Sequence, residues 1–241
     1  MDLATNLILD SCDSTNTLAK QLGEKGALHG AWISARKQKA GRGRQGREWV
    51  SEEGNLFLSI IVRPRKKSNW TWIPLVTAIA VCEAIESKWP ELEVRAKWPN
   101  DLWIEGRKLG GILCEGVGSG DQDSFVVIGI GLNCLSSPTG LDQETISLSE
   151  ALGQKITADQ VREFVIEAVL KWMKNLETFS SEKLIQSYER YSALKSGSEI
   201  QWQGGSGIVT GLSLSGELNV INDHGLQQKL VTEEIRAVRI A

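Results

Sequence analysis

Residues 35–49 read ARKQKAGRGRQGREW, and the rest of the chain is organised around this stretch. Between Arg36 and Arg47 it carries six basic residues, and no acid occurs before Glu48. Glycines alternate with the arginines, and glycine lets a backbone approach a ligand closely. Arginine presents a planar fork of donors that fits carboxylate and phosphate groups. The stretch therefore predicts a loop that wraps an anion.

The composition of the whole chain makes this basic loop a local exception. The 241 residues include 27 basic and 30 acidic side chains, a formal net charge of −3. Nucleic-acid-binding domains usually carry a broad basic face, so the balance argues against DNA as a partner. Four cysteines without CxxC spacing and only two histidines make a zinc site unexpected. Neither a signal peptide nor a membrane-spanning run is recognisable, which predicts a cytoplasmic protein with no membrane partner.

A polar cluster follows the first predicted strand. Residues 7–9 are apolar and predict that strand, and DSCDSTN at 10–16 is rich in turn and cap formers. Residues 17–25 then predict a helix that ends at a glycine. Within the cluster, Ser14, Thr15 and Asn16 fit two interpretations. They can cap the helix, and they can hold a small polar ligand at the strand-to-helix junction.

The basic loop connects two predicted strands. Residues 31–35 predict the strand that enters it, and NLFLSIIV at 55–62 predicts a buried strand that leaves it. Apolar residues then recur at helical spacing over 72–88, where Pro74 suits the first turn. A strand connection of this length in a compact domain is typical of a binding loop or a lid.

A second group of polar residues is predicted on a hairpin. Strands are predicted at 94–97, 102–104 and 109–114, with Glu105-Gly106 as a hairpin turn. Glycines at 110 and 111 would weaken a strand unless a ligand or side chain must approach its backbone. The hairpin collects four polar side chains: Lys97, Asn100, Asp101 and Lys108. Another buried strand over 125–130 is followed by Asn133.

The last third of the chain changes from helical to β-rich character. TADQ at 157–160 is a capping box that opens a helix to about residue 179, and a further helix is predicted over 181–193. Beyond residue 192, clustered glycines and short alternating runs predict a small β domain of about five strands. The pattern indicates an α+β protein with a domain over 1–191 and a second domain over 192–241.

The residue types constrain the chemistry. Neither histidine lies near a candidate nucleophile, so no Ser-His-Asp set and no Cys-His pair can be assembled. The remaining option is to position charged reactants and offset their charge, as phosphoryl and nucleotidyl transfer do. Taken singly, the lysines fit an ordinary surface and the tryptophans fit packing.

Together, the motifs resemble the biotin protein ligase family. The matching pieces are DSTN at 13–16, QKAGRGRQGREW at 38–49, NLFLS at 55–59, KWPNDLW at 97–103, RKLGGIL at 107–113 and GIGLN at 129–133. They occur in family order and, with the terminal β domain, cover nearly the whole chain. The resemblance implies a mixed β-sheet flanked by helices, as in class II aminoacyl-tRNA synthetases and biotin ligases, with a small C-terminal SH3-like β-barrel.

The resemblance also implies a reaction in two steps. Biotin's carboxylate attacks the α-phosphate of MgATP, which gives biotinyl-5′-AMP and pyrophosphate. A lysine of the biotin carboxyl carrier protein of acetyl-CoA carboxylase then takes the biotinyl group and releases AMP. Mg²⁺ is expected to arrive on the ATP phosphates, with no metal ligands from the protein.

Roles follow by matching the family motifs residue by residue. The implied catalytic residues are Lys108, Arg44 and Asp101, with Asp101 orienting the incoming lysine. The implied biotin contacts are Ser14, Thr15, Asn16, Gln38, Gly41, Arg42, Gly43, Arg44, Lys108 and Gly111. The implied nucleotide contacts are Arg42, Arg44, Trp49, Lys97, Asn100, Lys108 and Asn133.

The chain departs from the family pattern at a few positions. Gln45 stands where the loop usually has another arginine, which narrows the expected cationic roles to Arg42 and Arg44. The chain opens directly at the DSTN strand, so the DNA-binding domain of bifunctional members is not expected, nor is a repressor role. A homodimer remains open. Two alternatives also remain: a lipoate- or octanoate-specific ligase, and a nucleic-acid-binding module whose affinity falls steeply with salt.

Overall fold

The structure is a computed structural model that describes residues 6–118 and 124–239. In this part of the chain, seven strands form one mixed sheet. They are β1 (Leu7–Cys12), β2 (Trp32–Gln38), β3 (Leu56–Val62), β4 (Val94–Lys97), β5 (Asp101–Ile104), β6 (Arg107–Val117) and β7 (Phe125–Leu132). Their spatial order is β1-β2-β3-β7-β6-β5-β4. Strands β1 and β2 are parallel, and every other neighbouring pair is antiparallel.

Five helices accompany this sheet within the described residues. They are α1 (Thr15–Glu24), α2 (Ile73–Lys88), α3 (Leu148–Leu152), α4 (Ala158–Thr178) and α5 (Ser181–Tyr191). The predicted capping box is present, since the backbone N–H of Thr157 donates to Gln160 Oε1 at 2.9 Å. No helix in the described ranges has both the length and the apolar character needed to cross a membrane.

The two faces of the sheet are covered by different helices. Helix α1 packs on β2, β3 and β7, where its small residues meet Ile61 and Phe125. Helices α2 and α4 cover the other face, against Leu58, Ile60 and Val62. Because side chains alternate across a strand, every residue of β3 is buried from one side or the other. The predicted α+β class with a mixed sheet is confirmed.

The predicted hairpin is also present, and its turn has the expected chemistry. Strands β5 and β6 are joined at Glu105 and Gly106, which have φ values of 51° and 75°. Two consecutive positive φ angles are the signature of a type I′ turn, which matches the twist of the flanking strands.

The β-rich region forms a second, antiparallel sheet. Its strands are β8 (Glu199–Trp202), β9 (Gly205–Leu212), β10 (Leu218–Asn222), β11 (Gln227–Leu230) and β12 (Ile235–Arg239), in the order β11-β10-β9-β8-β12. Five strands match the expected number and are compatible with an SH3-like barrel. The indoles of Trp98 and Trp72 donate to the carbonyls of Gly216 and Leu214, both at 3.1 Å, and so tie this region to the large sheet. The domain boundary at residue 192 stays a prediction.

Candidate active site

A cavity of about 850 Å³ opens where the predicted motifs converge. Its size is typical of sites for a cofactor or a drug-sized molecule. The polar cluster, the basic loop, the hairpin and the end of β7 all contribute to its walls. The predicted site residues that line it are Ser14, Thr15, Asn16, Gln38, Arg42, Gly43, Arg44, Trp49, Lys97, Asn100, Lys108, Gly111 and Asn133.

Two predicted site residues lie behind this lining. Gly41 is buried, and its carbonyl accepts the N–H of Trp49 at 2.9 Å, which closes the basic loop at its base. A Cβ atom at Gly41 would lie 2.5 Å from the carbonyl oxygen of Trp49, so the position requires glycine for packing. Asp101 sits beneath Lys108, with its Oδ1 atom 2.8 Å from the lysine Nζ. Both residues therefore reach the cavity through a neighbour.

The polar cluster folds differently from the capping interpretation. Helix α1 begins at Thr15, two residues earlier than predicted, and Ser14 at its N-cap makes no side-chain capping hydrogen bond. Thr15 and Asn16 lie in the first helical turn, and their side chains are buried against Ser59 of the sheet. The backbone N–H of Thr15 donates to Gln38 Oε1 at 2.9 Å. This contact links the start of α1 to the end of β2. The part of the cavity lined by Thr15 and Gln38 is its closed end.

Two polar residues that the motifs did not predict, Ser59 and Glu115, support this closed end. The Ser59 hydroxyl is fully buried, 2.6 Å from Asn16 Oδ1 and 2.8 Å from Thr15 Oγ1. Glu115 Oε2 accepts from Asn16 Nδ2 at 2.8 Å. A local feature of the sequence marks each of them. Ser59 is a polar residue inside the apolar run of a buried strand, and Glu115 directly follows the apolar run of another strand.

Glu115 also collects two cations. Lys20 Nζ lies 2.6 Å from Oε1, and Arg42 Nη2 lies 3.0 Å from Oε2. Burial alone would raise the pKa of Glu115, but the hydrogen bonds from Lys20 and Asn16 and the nearby Arg42 hold that pKa below its ordinary value. Arg42 is therefore directed to the closed end of the cavity rather than toward Lys97 and Lys108 of the hairpin region.

The basic loop is folded over the open end of the cavity. Its backbone closes on itself, since the N–H of Gly43 donates to the Arg47 carbonyl at 2.7 Å. Arg44 donates through Nη1 to Asn100 Oδ1 and through Nη2 to the Thr232 carbonyl, both at 2.9 Å. Burial lowers the pKa of the Arg44 guanidinium from its ordinary value. Arg44 thus ties the loop both to the hairpin region and to the C-terminal region.

Two lysines of the hairpin region lie across from the loop. Lys108 pairs with Asp101, and its Nζ lies 5.7 Å from the ring centroid of Trp49. Lys97 is buried; its Nζ donates to the Ile235 carbonyl at 2.7 Å and lies 4.4 Å from the ring centroid of Trp103. Burial lowers the pKa of Lys97. The ammonium groups are therefore held by hydrogen bonds and aromatic faces rather than by bulk water.

The glycines of β6 and β7 make room for the indole of Trp49. A Cβ atom at Gly131 would lie 2.5 Å from Trp49 Cε2, and one at Gly111 would lie 3.1 Å from Cζ3. The two hairpin glycines predict that a group closely approaches this strand, and at Gly111 that group is the Trp49 ring. Trp49 Nε1 is buried with no hydrogen-bond partner in the described part of the chain, so it can donate to a ligand.

Asn133 supports the backbone around Lys108. Its Nδ2 atom donates to the Lys108 carbonyl at 3.4 Å and to the Ile146 carbonyl at 3.2 Å. The segment from Pro138 to Thr145 lines the cavity beside it. Within residues 6–118 and 124–239, no group of three or more His, Cys, Asp or Glu side chains could hold a metal ion.

The site therefore has two chemically different ends. The closed end offers neutral hydroxyl and amide groups at Thr15 and Gln38, which suit an uncharged polar head group. The open end offers Arg44 and Lys108 beside an indole, which suits an anion next to an aromatic base. A ligand long enough to span both ends would carry its acid group to the cations.

Comparison with known proteins agrees with this geometry. The model of the biotin/lipoate A/B protein ligase family matches residues 8–133. The biotin–[acetyl-CoA-carboxylase] ligase of Paracoccus denitrificans is 33% identical over 179 residues, which are 71% of this chain and 74% of that protein. The bifunctional ligase/repressor BirA of Bacillus subtilis is 32% identical over 235 residues, which are 95% of this chain and 70% of BirA.

A solved structure extends the similarity to the whole described fold. The biotin protein ligase of Aquifex aeolicus, determined in complex with biotin and ATP, aligns with a TM-score of 0.80 at 27% identity. The alignment covers 98% of this chain and 99% of that chain, so the similarity includes the C-terminal sheet as well as the large sheet.

Proposed function

This chain belongs to the biotin/lipoate A/B protein ligase family, and we propose that it is a biotin protein ligase that works through biotinyl-5′-AMP. The observation that carries the proposal is a cavity with two different ends: the closed end offers hydroxyl and amide groups and has Arg42 paired with Glu115, and the open end carries Arg44 and Lys108. Biotin has the matching polarity, with an uncharged cyclic urea at one end and a carboxylate at the other. The substrates are biotin, ATP and a lysine of a carrier protein.

Biotin binds with its urea at the closed end. Ser14, Thr15 and Gln38 line that end, and their polar atoms replace the hydrogen bonds that the urea loses on leaving water. Leu58 and Ile130 line the wall beyond them and face the hydrocarbon part of the ligand. The carboxylate then extends toward Arg44 and Lys108.

The first step brings two anions together. A carboxylate oxygen of biotin attacks the α-phosphorus, the bond from that phosphorus to the bridging oxygen breaks, and pyrophosphate leaves. Two unit charges about 4 Å apart repel by about 4 kcal/mol in a surface-like dielectric, so opposing charge is required. Arg44 and Lys108 supply it, and Lys108 moves from Asp101 to the acyl phosphate as it forms. Mg²⁺ enters with the ATP phosphates, and Trp49 packs beside the nucleotide.

The second step transfers the biotinyl group. The neutral amine of the carrier lysine attacks the acyl carbon, the bond from that carbon to the phosphate oxygen breaks, AMP leaves, and the amine gives up one proton to solvent as the amide forms. Asp101, released from Lys108, accepts a hydrogen bond from the incoming amine and orients it. The carrier is the biotin carboxyl carrier protein of acetyl-CoA carboxylase.

Pyrophosphate release tests the proposal. The protein is mixed with ATP and Mg²⁺ together with biotin, lipoate or octanoate, and pyrophosphate is measured in a single turnover. We expect release with biotin and little with the other two acids, which have no urea. Equal or greater release with lipoate or octanoate would reassign the protein to another acyl ligase.

The variant Lys108→Met separates chemistry from binding. It keeps most of the unbranched side chain and removes its charge, so we expect biotin binding to persist while pyrophosphate release falls by about 100-fold or more, as when one electrostatic stabiliser is removed. Lys171→Met is a matched control, because Lys171 pairs with Glu83 on the surface of α4. Normal pyrophosphate release by Lys108→Met would refute the role of Lys108.

A further inference from the structure

A chain of hydrogen-bonding groups runs from Glu115 to Thr15 beneath the closed end of the cavity. Glu115 Oε2 is 2.8 Å from Asn16 Nδ2, and Asn16 Oδ1 is 2.6 Å from Ser59 Oγ. Ser59 Oγ is in turn 2.8 Å from Thr15 Oγ1. Thr15, Asn16 and Ser59 are buried, and the Glu115 side chain is largely buried. Thr15 and Asn16 both line the cavity, and Thr15 does so beside Gln38.

The number of hydrogens on each group determines which group donates and which accepts along this series of hydrogen bonds. Ser59 has one hydroxyl hydrogen and two oxygen neighbours, and the shorter contact, to Asn16 Oδ1, involves an oxygen that can only accept. The Ser59 hydrogen is therefore directed to Asn16, and the contact to Thr15 must use the Thr15 hydrogen. Gln38 Oε1, which also accepts the backbone N–H of Thr15, lies farther from Thr15 Oγ1, at 3.1 Å, so the nearer Ser59 takes the Thr15 hydrogen.

The direction begins at Glu115. An ionised carboxylate can only accept, so it holds the Nδ2 side of Asn16 toward itself and the Oδ1 side toward Ser59. The second Nδ2 hydrogen donates to the Leu113 carbonyl at 3.2 Å, which opposes a flip of the same amide. Lys20 and Arg42 keep the carboxylate ionised.

The backbone of β7 leaves space for this arrangement. A Cβ atom at Gly129 would lie 2.3 Å from Asn16 Oδ1, so glycine is required for the amide to reach Ser59. With both of its Nδ2 hydrogens and its Oδ1 atom bonded to protein groups, Asn16 acts on a ligand through its neighbours rather than by direct contact.

We propose that Glu115 is a positioning residue which, through Asn16 and Ser59, fixes Thr15 Oγ1 as a hydrogen-bond acceptor toward the ligand. The site then selects a ligand that presents an N–H donor at this point, as a cyclic urea does, and rejects an isostere with oxygen there. The inference rests on the proposed function, because it assigns the urea of biotin to this end of the cavity.

Calorimetric titration with three ligands tests the inference. The ligands are biotin and its two cyclic carbamate analogues, in each of which one ureido N–H is replaced by an oxygen. For the wild-type protein, one of the two carbamates should bind about 10- to 100-fold more weakly than biotin, since it sets a lone pair against Thr15 Oγ1. The readout is the ratio of the dissociation constant of that carbamate to the dissociation constant of biotin. A general loosening of the pocket weakens the binding of all three ligands alike and leaves this ratio unchanged.

Two variants interrupt the hydrogen-bond chain from Glu115 to Thr15 at different points. Glu115→Gln can present either a donor or an acceptor to Asn16, so charge no longer fixes the direction. Ser59→Ala removes the group that accepts from Thr15 and keeps the carboxylate in place. In both variants the Thr15 hydroxyl can turn toward the ligand, and the ratio should fall to about threefold or less.

Glu83→Gln is the matched control. Glu83 is also a partly buried carboxylate with two donors, Lys171 Nζ at 2.9 Å and Trp172 Nε1 at 2.8 Å, and it lies between α2 and α4. This variant should keep the wild-type ratio. If Glu115→Gln does not fold, Ser59→Ala decides the question by itself.

The outcomes separate the inference from the proposed function. If either folded variant keeps the wild-type ratio of carbamate to biotin dissociation constants, or loses affinity equally for all three ligands, the role of the hydrogen-bond chain from Glu115 to Thr15 is overturned. The biotin ligase assignment then stays intact. A wild-type protein that does not bind biotin would overturn the proposed function itself, before any variant is compared.

Discussion

Replacing Arg44 with glycine should let the adenylate escape before it reaches the carrier. Arg44 makes two hydrogen bonds that hold the basic loop over the cavity, to Asn100 Oδ1 and to the Thr232 carbonyl, each 2.9 Å long. It is partly exposed, so each bond is assigned only about 1 kcal/mol. Loss of both weakens loop closure by about 2 kcal/mol, which corresponds to an escape rate about 30-fold higher.

The assay follows biotinyl-5′-AMP directly. Adenylate is formed on the enzyme without carrier, and its release is measured by filtration and by biotin labelling of a bystander protein such as serum albumin. Arg44→Gly should release the intermediate about 30-fold faster than wild type and label the bystander protein. Pyrophosphate release should slow, because Arg44 supplies part of the opposing charge, but it should not stop, because Lys108 is retained.

The control for added backbone freedom is Gln45→Gly. Gln45 is the next residue, its side chain is exposed, and its φ of 55° already lies in the region that glycine prefers. This variant should retain the intermediate as wild type does. If Arg44→Gly holds its adenylate as tightly as wild type, or if both variants leak equally, the reasoning about Arg44 is refuted.

Two further predictions concern the closed end and the indole. Gly129→Ala would place a methyl group 2.3 Å from Asn16 Oδ1, and Gly131→Ala would place one 2.5 Å from Trp49 Cε2; overpacking of this kind costs about 1–3 kcal/mol. We therefore expect Gly129→Ala to weaken biotin binding about tenfold and to leave ATP binding unchanged, as measured by calorimetry. Gly131→Ala should weaken ATP binding about tenfold and leave biotin binding unchanged. The same effect from both variants would contradict the division of the cavity. Because the folded-state pKa of Glu115 lies below its ordinary value of 4.5, its stabilising contribution is present above that value and is lost as the pH falls through the folded pKa. Urea denaturation should thus show wild type more stable than Glu115→Gln at neutral pH and the difference shrinking as the pH falls below 4.5, and a constant difference would refute the assignment.

Much of the fold follows from local patterns in the chain. The alternating and helical periods placed the strands of the large sheet and helices α1, α2, α4 and α5 within a few residues, and the Glu105-Gly106 turn fixed the hairpin that carries Lys108. Helix α3 was not predicted, and the C-terminal strands were predicted only in number. The start of α1 was misplaced because hydroxyl side chains that normally cap a helix instead point into the site. Tertiary hydrogen bonds to Gln38 and Ser59 outweighed the local capping preference.

The partners of the site residues could not be predicted in the same way. Asn16 and Glu115 are 99 residues apart in sequence, and Arg44 and Thr232 are 188 apart. These contacts depend on the order of strands in the sheet and on how the C-terminal sheet packs, and neither is encoded in a local period.

The sequence by itself determined the α+β class, the glycine- and arginine-rich loop, the lysine hairpin and the family, because each is expressed by motifs of residues close together along the chain. Only the tertiary structure decided that Arg42 pairs with Glu115 at the closed end while Arg44 bridges Asn100 and the C-terminal region. Two arginines separated by one glycine have the same local chemistry. Their different environments arise from the surfaces that the folded sheet places beneath each of them.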